Sequence, residues 1–390
     1  MPIVRHSLAV LILSSLAWAG FLLHESLGRQ ASFLLIGGAA FGFVLQRARF
    51  CFFCMLREWM EEGQVQGVLG IIAALATGTL GYLVLFGAWV PDPGAGFLPP
   101  RAHIGPVSWV VLAGGFIFGI GMSLSGSCLS AHLYRLGEGS WVSLLALAGA
   151  VAGFIAGFMV WNRLWSITLA EAEPLWLPAQ LGYAGAGGVQ LAALAGLAAW
   201  LMIRSGGGST SAEPVGVKSL GDLWSSVMVR RWPGWVGGSA VGLIGTALYL
   251  RADPLGVTAE LSRHSRDLGS ALGLSPARLE GLDRLAGCIV TETSQLIGNN
   301  GIFVLATVAA ALAAALFAGQ FRIERKPPRT LVSALIGGVF LGFGSMIALG
   351  CSIGTLLSGI SALAWSGWLF ALAMVAGIWI SLPLRRRILG

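Results

Sequence analysis

Residues 114–128 read GGFIFGIGMSLSGSC, and residues 337–351 read GGVFLGFGSMIALGC. Residues 37–51, GGAAFGFVLQRARFC, keep the same frame. In each, a glycine pair, a third glycine and a cysteine recur at fixed distances: Gly37, Gly38, Gly42 and Cys51; Gly114, Gly115, Gly119 and Cys128; Gly337, Gly338, Gly342 and Cys351. Residues 237–251, GGSAVGLIGTALYLR, repeat the glycines at Gly237, Gly238 and Gly242 but carry Arg251 in the cysteine position. An internal repeat of this kind fixes the architecture before any single motif is weighed. It points to three thiols and one guanidinium at equivalent ends of apolar segments.

Those segments belong in a membrane. With 11% charged residues in 390 and a mean hydropathy of +0.81, the chain has too little polar surface for a soluble protein of its size. Uncharged runs at 65–90, 141–162, 181–203 and 301–321 each supply the roughly 20 apolar residues that a bilayer core of about 30 Å requires of a helix. The 57 glycines suit helices packed with their backbones close together. The fold class read from this is an all-α polytopic membrane protein of about ten transmembrane helices. The crossings are expected near 7–24, 31–47, 65–90, 106–123, 141–162, 181–203, 233–250, 301–321, 330–347 and 364–384.

Basic residues orient the crossings. Arg204, Lys218, Arg230 and Arg231 share one connection, Arg322, Arg325, Lys326 and Arg329 another, and Arg385, Arg386 and Arg387 close the chain. An even number of crossings places all of these on the side of Arg5, with both termini cytoplasmic. The stretch 251–300 dissents, because it is placed outside yet carries Arg251, Arg263, Arg266, Arg278 and Arg284. Most of the net charge of +7 is then a topogenic signal, and nucleic acid is not expected as a partner. The first crossing admits a second reading as a signal peptide, since Arg5 and His6 precede an apolar run that includes Ala17-Trp18-Ala19. The unbroken run through Leu23 favours a retained helix.

Each glycine-framed crossing is followed by a connection and a return crossing. Four two-crossing units result, near 31–90, 106–163, 233–321 and 330–385. The first two lie in an N-terminal half, 1–204, and the last two in a C-terminal half, 232–390. A Gly- and Ser-rich cytoplasmic linker, 205–231, joins them. The extra crossing at 181–203 reverses the second pair of units, so the halves are inverted repeats, an arrangement that places a transport site at their interface near the midplane. Gly126 and Ser127 precede Cys128, and Gly350 and Ser352 flank Cys351. These stretches are too polar for lipid-facing helix, and irregular backbone at that depth must be enclosed by protein or line a wet cavity. They are expected to turn inward as re-entrant loops. A helix starting after such a loop points its amides at the centre and offers an anion site.

A buried cysteine is most often a small hydrophobe, and that reading suits Cys288, which belongs to no repeat. Recurrence in register argues against it for Cys51, Cys128 and Cys351. Cys51 and Cys54 have the spacing of disulfide oxidoreductases but lack the surrounding thioredoxin-like pattern, so Cys54 reads as a packing residue. Arg251 reads equally as a helix-end anchor or as a functional charge.

With these motifs the chain resembles the YeeE/YedE family of membrane proteins, a sulfur-transport domain. The resemblance covers most of the chain and rests on Gly42 to Cys51, Gly119 to Cys128 and Gly342 to Cys351, with the 254–258 stretch PLGVT typical of the third unit. It implies uptake of thiosulfate across the bacterial inner membrane by an hourglass-shaped monomer whose central loops carry functional cysteines, here Cys51, Cys128 and Cys351. It further implies cooperation with a small TusA-like sulfur carrier in the cytoplasm. Some relatives are associated with selenium, so a selenium compound is an alternative substrate.

The residue chemistry agrees with a soft sulfur anion. A neutral thiol donates and accepts weak hydrogen bonds, so it can pass such an ion on without trapping it, while Arg251 and the loop amides offset desolvation. No acidic residue falls within the ten crossings and no phosphate-binding glycine loop is present, so relay-like facilitated passage is expected, with no cofactor, metal or catalytic residue. The rival from another class is a membrane thiol-disulfide oxidoreductase using Cys51 and Cys54. A second rival is an assembly protein in which the repeats only pack.

Overall fold

The structure, a computed structural model, describes residues 2–205, 219–252, 254, 256–282 and 297–389. Residues 206–218 of the 205–231 linker, with Lys218, and Arg284 and Cys288 lie outside the described residues. The N-terminal part consists of α1 (Pro2–Leu27), α2 (Arg29–Ala48), α3 (Phe52–Glu62), α4 (Gln66–Trp89), α5 (Trp109–Ser125), α6 (Leu129–Gly137), α7 (Trp141–Leu164) and α8 (Leu177–Arg204). The C-terminal part consists of α9 (Leu220–Trp224), α10 (Gly234–Arg251), α11 (Ala259–Ala271), α12 (Asn299–Phe317), α13 (Pro328–Ile347), α14 (Gly359–Ser361) and α15 (Trp365–Leu389).

Among the described residues, nine helical spans are long and apolar enough to cross a membrane. The chain is a polytopic all-α membrane protein. The remaining expected crossing, 233–250, corresponds to α10, an 18-residue helix whose glycines and terminal arginine dilute its hydropathy. Span α1 lies at the periphery against α2 and α12, with only 6% of its apolar window buried.

The glycine frame has a direct physical meaning. Residues four apart share one helix face, and the second and third glycines of every frame press against backbone carbonyls of a neighbouring helix. Gly38 and Gly42 of α2 face the carbonyls of Phe303 and Thr307 on α12, and Gly238 and Gly242 of α10 face those of Gly70 and Ala74 on α4. Gly115 and Gly119 of α5 face the carbonyls of Phe370 and Met374 on α15, and Gly338 and Gly342 of α13 face those of Ala146 and Ala150 on α7. Each contact leaves no room for a Cβ. The pairing is crosswise: the framed helix of one unit packs on the return helix of a unit from the other part of the chain. The framed helices α5 and α13 also touch directly, where Gly114 meets Gly344 and Gly121 meets Gly337.

The connections gather at two ends. At one, rich in arginine, Arg47 donates to the Met228 carbonyl at 2.6 Å and to Gln320 at 3.0 Å, the Arg322 amide donates to the Glu138 carbonyl, and Arg386 pairs with Glu61 at 2.9 Å. At the other, Pro106 bridges to Pro174 and Trp176 to Ala364, and the Tyr249 hydroxyl donates to the Pro100 carbonyl at 2.8 Å.

Candidate functional site

The short helices α3 and α6 begin immediately after Cys51 and Cys128, each of which is the N-cap of the helix that follows. The irregular backbone is therefore brief. Residues 126–128 separate α5 from α6, with Gly126 at φ +84° making the left-handed turn that a Cβ would strain. Arg49 takes the same left-handed conformation before Cys51. The two turns put the cysteine sulfurs 3.9 Å apart, both wholly buried. The Cys51 sulfur accepts the Cys54 amide at 3.5 Å, and the Cys128 sulfur lies 3.2 Å from the Ser130 hydroxyl.

Cys351 reaches the core from the opposite end. After α13, Leu349 and Gly350 reverse the chain with positive φ, and Cys351 then caps a wide-turned π-helical segment, Ser352–Ser358. Such wide turns recur at functional sites. The amides of Ile353 and Gly354 face the Cys351 sulfur, as does the Thr258 hydroxyl. His103 Nε2 lies 3.0 Å from Thr355 Oγ1 and ties this loop to the connection before α5. All three cysteines are fully buried in one apolar cluster. Around them, the hydroxyls of Ser127, Ser352, Ser345, Ser123 and Thr258 are buried without a well-formed hydrogen bond. A buried polar group without a partner is costly, so these hydroxyls are available to a polar ligand.

Arg251 stands apart from this set. It ends α10 and is exposed. Five residues between 252 and 258 that the structure describes intervene before α11, whose N-cap is Thr258. The position that Cys51, Cys128 and Cys351 fill, the cap of the following helix, is filled in the third unit by Thr258. Constant sequence spacing pointed to Arg251 because the longer loop shifts the register. Cys54 lies one turn into α3, and its sulfur approaches the Gly126 carbonyl at 3.9 Å and receives Arg135 Nη2 at 3.1 Å. The four described cysteines are free thiols. Sequence reasoning missed Thr258, His103, Ser130 and Arg135. The 254–258 stretch, which ends on Thr258, and the N-cap preference for threonine at the start of α11 were the signals that could have picked out Thr258.

The chain matches the sulphur transport family over residues 47–380, which takes in all of these elements. It belongs to that family. It is 27% identical to the thiosulfate transporter TsuA of Escherichia coli over 362 residues, covering 88% of this chain and 92% of that one. It is 28% identical to the thiosulfate transporter TsuA of Spirochaeta thermophila over 360 residues, covering 88% of this chain and 96% of the relative. A shorter match, 33% over 89 residues, links 23% of the chain to the probable transporter YedE of Escherichia coli. This sulphur transport family member therefore aligns with the two thiosulfate transporters along nearly their whole length.

Proposed function

We propose that this protein takes up thiosulfate, or a closely related sulfur anion, across the bacterial inner membrane by way of Cys51, Cys128 and Cys351. The observation that carries this reading is the placement of the three thiols. Each caps a helix, two approach from the arginine-rich end and one from the other, and all lie beside buried hydroxyls with no partner of their own. The names borne by the full-length relatives support the substrate class.

The energetic problem for such a carrier is desolvation of a dianion, which costs several kcal/mol even with relaxation. Helix amides, hydroxyls and thiols replace water ligands one by one. Thiols do so weakly, as a conducting site requires, since an ion held too firmly is not released. All three thiols have no exposed surface, so the loops must part for an ion to pass. The arginine-rich end is the cytoplasmic one in this reading, with both termini there, and a TusA-like carrier that consumes the anion on that side makes uptake one-way. Uptake of radiolabelled thiosulfate into proteoliposomes holding only this protein tests the proposal. Accumulation without any redox partner is expected, whereas no flux above that of empty vesicles would overturn it.

A further inference from the structure

Beside the Cys51–Cys128 pair, toward the arginine-rich end, guanidiniums from three different helices gather around Phe53, Cys54 and Gly126. Arg135, in the last turn of α6, donates to the Cys54 sulfur at 3.1 Å and to the Gly126 carbonyl at 3.4 Å. Arg385, near the end of α15, lies with its Cζ 5.1 Å from the Phe53 ring centre, and its Nη2 is 3.6 Å from where a Cβ on Gly126 would stand. Arg57, one turn beyond Cys54 on α3, approaches the same Phe53 ring at 6.0 Å.

The three charges repel one another, and among the described residues the one carboxylate paired with any of them is shared. Glu61 Oε2 is 3.8 Å from Arg57 Nε, beyond hydrogen-bond reach, while its other oxygen accepts from Arg386 at 2.9 Å. Arg57 Nε and Arg385 Nη1 are buried and make no hydrogen bond. Three cations with two unused, buried N–H donors and one distant counter-charge form an incomplete arrangement. An oxoanion completes it, because guanidinium forks match the oxygens of such ions. Stacking on Phe53 holds two of the forks in place.

From this arrangement we infer that Arg57, Arg135 and Arg385, with Cys54 beside them, form a binding site for a divalent tetrahedral oxoanion at the cytoplasmic mouth of the pathway. The inference rests on the transport reading for its sidedness and substrate. The link to the pathway is short: the Cys54 amide donates to the Cys51 sulfur, and Gly126, against which Arg135 and Arg385 lean, opens the loop that carries Cys128. An anion leaving the thiol pair meets the guanidiniums within one helical turn. There the positive charge draws it out of the apolar constriction, and exposure to cytoplasmic water and salt then lets it go.

The test separates this site from transport by removing the thiols of the pathway. Full-length protein with Cys51→Ser, Cys128→Ser and Cys351→Ser, purified in neutral detergent, is titrated with radiolabelled thiosulfate. One saturable site per chain is expected, competed by sulfate and weakened by salt. Adding Arg135→Gln and Arg385→Gln should raise the half-saturation concentration at least tenfold. Lysine at both positions should restore part of the affinity. Absence of saturable binding in the arginine-intact chain overturns the inference, as does binding unchanged by the double glutamine substitution. Displacement of label by phosphatidylglycerol but not by sulfate assigns the guanidiniums to a lipid headgroup and overturns it too. Wild-type flux is measured in parallel: loss of the anion site with flux intact defeats only the inference, whereas binding retained with no wild-type flux defeats only the transport reading.

Discussion

The sulfurs of Cys51 and Cys128 lie 3.9 Å apart although 77 residues separate them in sequence. Each comes from the same frame position in a different repeat unit, and neither is oxidised to its neighbour. The two thiols are close enough to be joined by a modest shift of their loops. With Cys54→Ser and Cys288→Ala in place, treatment with diamide should give a chain lighter by two hydrogens, with Cys51 and Cys128 linked, and uptake blocked until a dithiol reductant is added. Cys128→Ala and Cys351→Ala should each abolish or strongly reduce uptake, and serine at either position should impair it as well. A hydroxyl keeps a donor but binds water and oxoanions more firmly than a thiol. Normal uptake by all serine variants would mean that the thiols only pack.

The frame glycines make a prediction about stability. Gly42 and Gly342 each face a backbone carbonyl with no space for a side chain, so Gly42→Val and Gly342→Val must push two helices apart. Overpacking of this kind costs about 1–3 kcal/mol. Lower unfolding midpoints in detergent are expected for both. Gly196 on α8 meets nothing within 4 Å, so Gly196→Ala should leave the midpoint unchanged or raise it slightly, because alanine is the better helix former by about 1 kcal/mol.

Much of the architecture was legible in sequence because a close helix contact leaves a local mark. Gly38 and Gly42 are four apart because one helix face repeats at that distance, and each glycine reports a carbonyl on another helix that the sequence alone does not name. The site was less legible. The frame counts residues from glycine to cysteine, and that count holds only where the helix ends at the same place; in the third unit α10 continues to Arg251 and a longer loop carries Thr258 inward instead. The grouping of Arg57, Arg135 and Arg385 was not readable at all. Their helices meet only in the folded chain, and each arginine read alone is one more basic residue near a membrane surface.

Sidedness is open to a direct check. Arg325 and Glu171 are both exposed and lie in connections at opposite ends of the bundle. In intact cells, on a chain with its native cysteines replaced, Glu171→Cys should react with an impermeant maleimide, while Arg325→Cys should react only after the membrane is opened. The reverse pattern would place the arginine-rich end outside and make the thiol pair the first station of the pathway.

The last prediction separates Thr258 from Arg251. Thr258 is 1% exposed, takes the N-cap position of α11 and faces the Cys351 sulfur, so on the proposed pathway its hydroxyl would meet the ion where it is most desolvated. Thr258→Val keeps the shape and removes the hydroxyl. Maximal uptake should fall about tenfold or more, in keeping with the 1–3 kcal/mol cost of an unmet buried group, while the unfolding midpoint stays near that of the parent. Arg251 is exposed at the end of α10, where it can attract an anion only through water. Its effect should be confined to apparent affinity and screened over about 10 Å at 0.1 M salt. Arg251→Ala should raise the half-saturation concentration a few-fold at low ionic strength and hardly at all at high, with maximal rate preserved, and Arg251→Lys should recover most of the loss because charge alone is at work. If Arg251→Ala instead lowers maximal uptake at every salt concentration while Thr258→Val is silent, the guanidinium reaches the constriction during transport, and the loop between α10 and α11 must fold inward to carry it there.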